Sequence, residues 1–223
     1  GNRQTQTVDD GTIVTTTYTY DDNDRLLTEV GTDSVNYRYD ANGNTLDKAV
    51  NGLVEVTYDY DFENRLIATD NATYAYDPSG IRQSKIENGQ GVIYLVDPNR
   101  DYAQVIEEQD AMGQAQVIYS YGDDLLTQTR TEGTYQYHYD GLGSTRALSD
   151  VFGAESDSYI YSAFGELEEQ AGTTPNTYLY TGEQFDPNLG WYYLRARYYS
   201  PSMGRFPTMD TWKGLSTDPM TLH

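Results

Sequence analysis

The side chains able to do chemistry here are carboxylates, phenols and a few arginines, since the 223 residues hold no cysteine and two histidines. Without cysteine there is no disulfide framework, thiol nucleophile or thiolate metal site. His138 and His223 stand far apart, so they suggest neither an imidazole metal cluster nor a Ser-His-Asp order. "DDND" (21–24) offers the oxygen ligands of a calcium site, but it lacks the glycine and distal glutamate of a helix-loop-helix calcium loop. A solvated hairpin turn is the better reading. "NAT" (71–73) fits an N-glycosylation sequon, which matters only in a eukaryotic secretory route. "GLG" (141–143) and "PSMG" (201–204) have no helix to open, so they are turns rather than phosphate loops. Arg195, Arg197 and Arg205 give segment 191–206 a positive balance in a very acidic chain. Strand alternation would put Arg195 and Arg197 on one face, with Leu194, Ala196 and Tyr198 on the other. Cofactor and metal sites are expected to be none.

The phenols explain what must position these groups. Hydrophobic residues make up 37% of the chain, which alone would hint at disorder, but 23 tyrosines change the meaning of that figure. Each ring can bury roughly 150–250 Å² while its hydroxyl keeps a hydrogen bond. Tyr-x-Tyr occurs at 18/20, 37/39, 58/60, 74/76, 119/121, 135/137/139, 159/161 and 178/180, and "IYLVDP" (93–98) fills the wide gap with Val96 as the second member. First-tyrosine spacings up to Tyr119 are 19, 21, 16, 20 and 25, a period near 20 that signals a repeat architecture.

One unit reads as a β-hairpin of about twenty residues. Residues i and i+2 of a strand share a face, so each Tyr-x-Tyr forms an aromatic ridge, while Arg38, Asp59, Ala75 and His138 point the other way. Asp21, Asp40, Asp61, Asp77, Asp97 and Asp140 follow three residues after the first position and open the turn. Such an aspartate accepts backbone N–H groups, Pro78 presets φ, and Gly43, Gly80 and Gly143 fit a position that favours glycine. A second strand then leaves, as in "DRLLTE" (24–29) and "NRLIAT" (64–69). A lone hairpin is marginal in water, so the units must join edge to edge. An ordinary β-sandwich would not require the aspartate to keep this phase.

The formal charge is −21 and the pI near 4.1, so nucleic acid and anionic membranes are poor partners. No run of about 18 apolar residues indicates a membrane span, and the start has no signal-peptide pattern. "GNRQTQTV" opens as though cut from a longer protein. A fragment of such a sheet has two open edges, which invite self-association, end to end as a filament in the extreme case.

These Tyr-Asp units resemble the YD repeats of the Rhs family, found in bacterial polymorphic toxins, insecticidal toxin-complex C components and animal teneurins. "YHYDGLGSTRALSDVFGAESDSYIYSAFGE" (137–166) and "YLYTGEQFDPNLGWYYLRARYYSPSMGRFPTMD" (178–210) resemble its repeat-associated core domain. The resemblance implies an all-β fold, antiparallel hairpin repeats forming a curved or spiralling sheet, part of a hollow shell with a C-terminal plug. Five to six YD hairpins would fill residues 1–134 and the core domain residues 135–223. The shell would enclose a C-terminal, toxin-like polypeptide, held with flanking repeats of the same bacterial, secreted or cell-surface parent.

In many family members the core domain is an aspartyl protease acting on its own chain. That implies catalytic roles for Arg197, in "ARYY", and Asp210, closing "GRFPTMD". Two carboxylates are needed for the mechanism, and Asp218 in "STDPM" is a possible partner by proximity. The chain departs from the pattern in two ways. Thr211 stands where many members have proline, and the downstream Asp-Pro-x-Gly-Leu cleavage segment is missing before His223. The fragment alone is therefore not expected to be an enzyme, whereas its parent could process itself. Arg197 could equally be a structural ion pair, and paired arginines could dock the plug on an acidic shell. A competing class is an adhesive module, with tyrosines stacking on sugars or binding a surface protein. A stand-alone hydrolase would rest on Arg197 and Asp210 only.

Overall fold

The computed structural model describes residues 2–9, 11–100 and 102–210. They divide into two compact units, one of Gly1–Asp70 with Pro207–His223, the other Asn71–Phe206. The first holds strands β1 (Thr5–Asp9), β2 (Ile13–Tyr20), β3 (Leu26–Val30), β4 (Ser34–Tyr39), β5 (Thr45–Val50), β6 (Leu53–Tyr60) and β7 (Leu66–Thr69). Each pairs antiparallel with the next.

The second unit continues the same local pattern. It runs through β8 (Ala72–Tyr76), β9 (Arg82–Glu87), β10 (Gln90–Asp97), β11 (Gln104–Asp110), β12 (Ala115–Tyr121), β13 (Leu125–Arg130), β14 (Gly133–Tyr139), β15 (Thr145–Ser149), β16 (Glu155–Tyr161) and β17 (Leu167–Ala171). These again pair consecutively and antiparallel. A separate three-stranded sheet follows, of β18 (Gln184–Asp186), β19 (Trp191–Leu194) and β20 (Arg197–Tyr199). The fold is all-β and antiparallel.

The repeat has the faces its alternation dictates. In each Tyr-x-Tyr that ends a strand the first ring is buried and the second half-buried, with the residue between exposed, as in Tyr37-Arg38-Tyr39 and Tyr137-His138-Tyr139. A β-bulge breaks the register just before the second tyrosine, at Tyr20, Tyr39, Tyr60, Tyr76, Tyr121, Tyr139 and Tyr161. Bulges raise local twist, so each repeat bends its sheet by the same device. The bulged tyrosine is then tied back to the preceding strand: the hydroxyls of Tyr39, Tyr121, Tyr139 and Tyr161 donate to the carbonyls of Leu26, Val105, Leu125 and Thr145 at 2.7–2.9 Å.

The turns are equally regular. Asp21, Asp40, Asp61, Asp77 and Asp140 each accept the backbone N–H groups two and four residues on. The fourth turn residue is left-handed, which Gly43, Gly80 and Gly143 adopt freely, while Asp24 and Asn64 adopt it at φ near 60°. Asp110 and Asp150 open identical turns after the second strand of their hairpins, and Ser162 opens one after Tyr159-Ile160-Tyr161 with its hydroxyl. Asp97 departs from the set, taking the Asn99 N–H and side chain before a longer connection.

Candidate functional site

In the second unit the buried tyrosine ridge is covered by the segment after β17. Tyr119, Tyr137, Tyr159, Leu125 and Leu148 form one core with Tyr178, Leu179 and Tyr192 from that segment. Tyr119 and Tyr178 meet edge to face at 5.0 Å between centroids. Tyr137 donates to Asn176 Oδ1, and Thr145 donates both its N–H and its hydroxyl, to the carbonyls of Leu179 and Tyr178. These groups hold the C-terminal segment against the aromatic face.

The strongest electrostatic feature is a buried cation to which no sequence motif points. Arg82, the first residue of β9, is 4% exposed. Its guanidinium donates to the Tyr198 hydroxyl and Gln184 Oε1 at 2.8 Å each, and its backbone N–H donates to the Tyr193 hydroxyl. The rings of Tyr193 and Tyr94 lie 4.2 and 4.7 Å from its central carbon. Asp186, also buried, is 3.6 Å away and takes a hydrogen bond from Lys85 at 3.3 Å. Burial alone would lower the Arg82 pKa, but the tyrosine oxygens and Asp186 outweigh burial and hold it well above its ordinary value. The same holds for Lys85, where Asp186 and Glu87 reverse the effect of burial. Gln184 passes the network on to Glu108, which also accepts from Tyr119. The chemistry is that of a docking joint, in which Gln184, Asp186, Tyr193 and Tyr198 of the β18–β20 sheet all meet Arg82 of the tyrosine face.

The arginines of segment 191–206 take different places from those their alternation suggests. Arg195 does not share a strand face with Arg197, because Arg195 and Ala196 are the two-residue turn between β19 and β20, with Arg195 left-handed at φ 57°. A two-residue hairpin needs positive φ, and that breaks the alternation. Arg195 grips both oxygens of Glu183 at 2.6 and 2.8 Å and lies over the ring of Tyr102. Arg197 is half-buried in β20, its guanidinium 3.9 Å from the centroid of Phe206. Both belong to the second unit, whereas Asp210 is exposed and belongs to the first. Asp218 and His223 lie outside the described residues.

The lesser motifs resolve simply. Asp21 of "DDND" is taken up by its turn and by Arg25, whose guanidinium lies 2.6 Å away. His138 is an exposed strand residue hydrogen-bonded to Ser149 on the neighbouring strand. Asn71 is exposed and donates to Asn188. No metal-holding cluster of acidic or histidine residues occurs among the described residues. None of the described helices is long and apolar enough to cross a membrane. An open polar cavity of about 920 Å³ lies beside the joint, lined by Tyr102, Tyr121, Tyr139, Asp124, Asp140 and Arg195.

No known protein-family profile matches the chain. It is 35% identical to the tRNA3(Ser)-specific nuclease WapA of Bacillus spizizenii, over 99% of this chain and 10% of that protein. It is 26% identical to double-stranded DNA deaminase toxin A of Burkholderia cenocepacia, over 90% of this chain and 14% of that protein. Among solved structures it resembles the Tc holotoxin pore of Photorhabdus luminescens at a TM-score of 0.65 and 18% identity, covering 95% of this chain and 12% of that one. The chain thus spans about a tenth of the length of the Bacillus relatives it matches. The activities in those names belong to those whole proteins.

Proposed function

We propose that this chain is wall and plug of an Rhs-type β-shell, a structural stretch of a longer secreted or cell-surface bacterial toxin that encloses its own C-terminal polypeptide. The observation that carries the reading is the joint at Arg82, where β18–β20 dock on the buried face of the tyrosine repeats. A repeat sheet with one aromatic face must cover that face. Here a three-stranded plug covers part of it, and phenol-lined wall is well suited to an enclosed chain of arbitrary sequence. Flanking repeats of the parent extend the sheet beyond the β1–β2 pair.

In the parent, Asp210 serves as a catalytic carboxylate of self-cleavage, and Arg197 is the second residue assigned a part in it. The test is the chain expressed with its native downstream sequence, as wild type and Asp210→Asn, on a denaturing gel. Two bands for wild type and one for the variant are expected, with the released polypeptide resistant to added protease until the shell is unfolded. One intact band for both removes the protease, and a protease-sensitive downstream segment removes the enclosure.

The polar cavity favours a second reading, an adhesive module. Tyr102, Tyr121 and Tyr139 beside Asp124 and Asp140 are the side chains that sugars stack on and hydrogen-bond to. A glycan-array signal that disappears in Tyr102→Ala would support it.

A further inference from the structure

Across each bulge, the second tyrosine of a repeat faces the first residue of the next strand. The pairs are Tyr20 with Leu26, Tyr39 with Thr45, Tyr60 with Leu66 and Tyr76 with Arg82, then Tyr121 with Leu125, Tyr139 with Thr145 and Tyr161 with Leu167. This position is the inward-facing start of the strand, and six of its seven occupants are buried. Leucine is its usual occupant. The three polar exceptions all hydrogen-bond chain from beyond residue 175, whereas Leu125 meets that segment by packing. Thr145 holds the Tyr178 and Leu179 carbonyls, and Arg82 holds Gln184, Asp186, Tyr193 and Tyr198. Within the first unit, Thr45 donates its N–H at 3.0 Å and its hydroxyl at 2.7 Å to the single carbonyl of Pro207.

A buried polar group costs stability unless it is hydrogen-bonded, so a threonine or arginine on such a rung needs a partner that leucine does not. Each of the three finds that partner in the C-terminal segment. The two threonines read backbone carbonyls only. Thr45 fills both lone pairs of Pro207, a residue with no N–H of its own to offer. The anchor therefore recognises an extended peptide whatever its side chains. Just beyond it, Met209 lies so close to Gly43 that a Cβ there would overlap the Met209 sulfur, and Asp210 follows at once.

We propose that a polar residue opposite the second tyrosine is the address at which a rung hydrogen-bonds the C-terminal segment, and that Thr45 is the positioning residue for the stretch running through Asp210. The second half rests on the self-cleavage reading above, and the first half does not.

The test uses the whole chain with ¹³C-methyl methionine, of which there are four. The Met209 signal is assigned by Met209→Leu, and its proximity to Gly43 is followed as a methyl–Hα cross-peak in Thr45→Val, Thr45→Leu and Thr45→Ser. Leucine already occupies this rung at Leu26 and Leu66, so Thr45→Leu is expected to fold, and isosteric Thr45→Val decides if it does not. We expect the cross-peak to weaken at least fivefold in the valine and leucine variants and to persist in serine. A cross-peak at wild-type strength in folded Thr45→Val overturns the address.

In the parent with its native downstream sequence, Thr45→Val should slow self-cleavage at least tenfold while Thr45→Ser restores it. Cleavage at the wild-type rate in Thr45→Val, despite a weakened Met209–Gly43 cross-peak, overturns the positioning role. Absence of cleavage in the wild type sinks the protease reading and with it that role, and leaves the methyl cross-peak to decide the address.

Discussion

At the residue scale, the molecule places unusual side chains where it joins itself. Arg82 is enclosed by aromatic rings and shielded from water, so its charge depends on Asp186, Gln184 and the Tyr198 hydroxyl together. Arg82→Leu removes one of the two cations beside the buried Asp186, and should cost about 3 kcal/mol. Chemical denaturation of the single variant and of Arg82→Leu/Asp186→Leu checks this. The double variant should recover part of the loss, because the buried carboxylate goes with its cation. The turn residues provide a cleaner backbone measurement. A Cβ at Gly143 would meet nothing closer than 3.9 Å, so Gly143→Ala tests φ alone and should cost about 1 kcal/mol. Asn64→Gly relieves the same left-handed conformation but removes the Oδ1 that accepts from Asn42 and from the buried Asn44, so a net loss of about 1 kcal/mol is expected.

At the element scale, the repeat is a hairpin plus three local devices: an Asx turn, a bulge, and a tyrosine hydroxyl returned to the neighbouring strand. The last is a backbone carbonyl satisfied by a side chain where the bulge has interrupted the ladder. Tyr139→Phe keeps the ring and removes only that bond to Leu125, so its expected cost is about 1 kcal/mol in the same denaturation assay. A negligible change in stability would mean that water replaces the phenol there. The rung opposite that tyrosine shows how one element acquires a role. A leucine side chain there offers packing only, and threonine or arginine adds hydrogen bonds to the C-terminal segment.

At the scale of the whole molecule, tyrosine takes the place of an aliphatic core, and that fixes how stability responds to alkali. Burial pushes Tyr159 up to about 12 and also raises Tyr119, Tyr137, Tyr178 and Tyr198 well above the ordinary phenol value. Each folded value lies above the ordinary phenol value near 10, so the neutral form is favoured by folding. Their contribution is therefore complete below about pH 10 and is lost as the pH rises through the folded values. Alkaline titration followed by phenolate absorbance and by circular dichroism should show phenolate appearing late, with loss of β-structure in the same step. Early, gradual ionisation with the fold intact would mean that the rings are solvated. The opposite sign applies to Asp70, whose carboxyl the Thr57 hydroxyl and N–H hold low, so its small contribution is present above about pH 4 and fades only on acidification.

Much of this was determined by the sequence alone, because it depends on covalent neighbours. Alternation makes Tyr37 and Tyr39 share a face and sends Arg38 outward, and an aspartate three residues after the first tyrosine can only close a turn that starts there. The fold class and hairpin length follow from that spacing, and the turns at Asp110 and Asp150 were legible in principle by the same chemistry. What tertiary structure decided is every feature whose energy comes from distant chain. Arg195 leaves its expected strand because β19 and β20 pair with each other, and a two-residue link then needs a left-handed residue. Arg82 reads as an ordinary surface arginine until Tyr193 and Tyr198, more than a hundred residues on, remove its water. A single chain position carries no record of the partner that will bury it, and burial is what turns a polar side chain into an anchor.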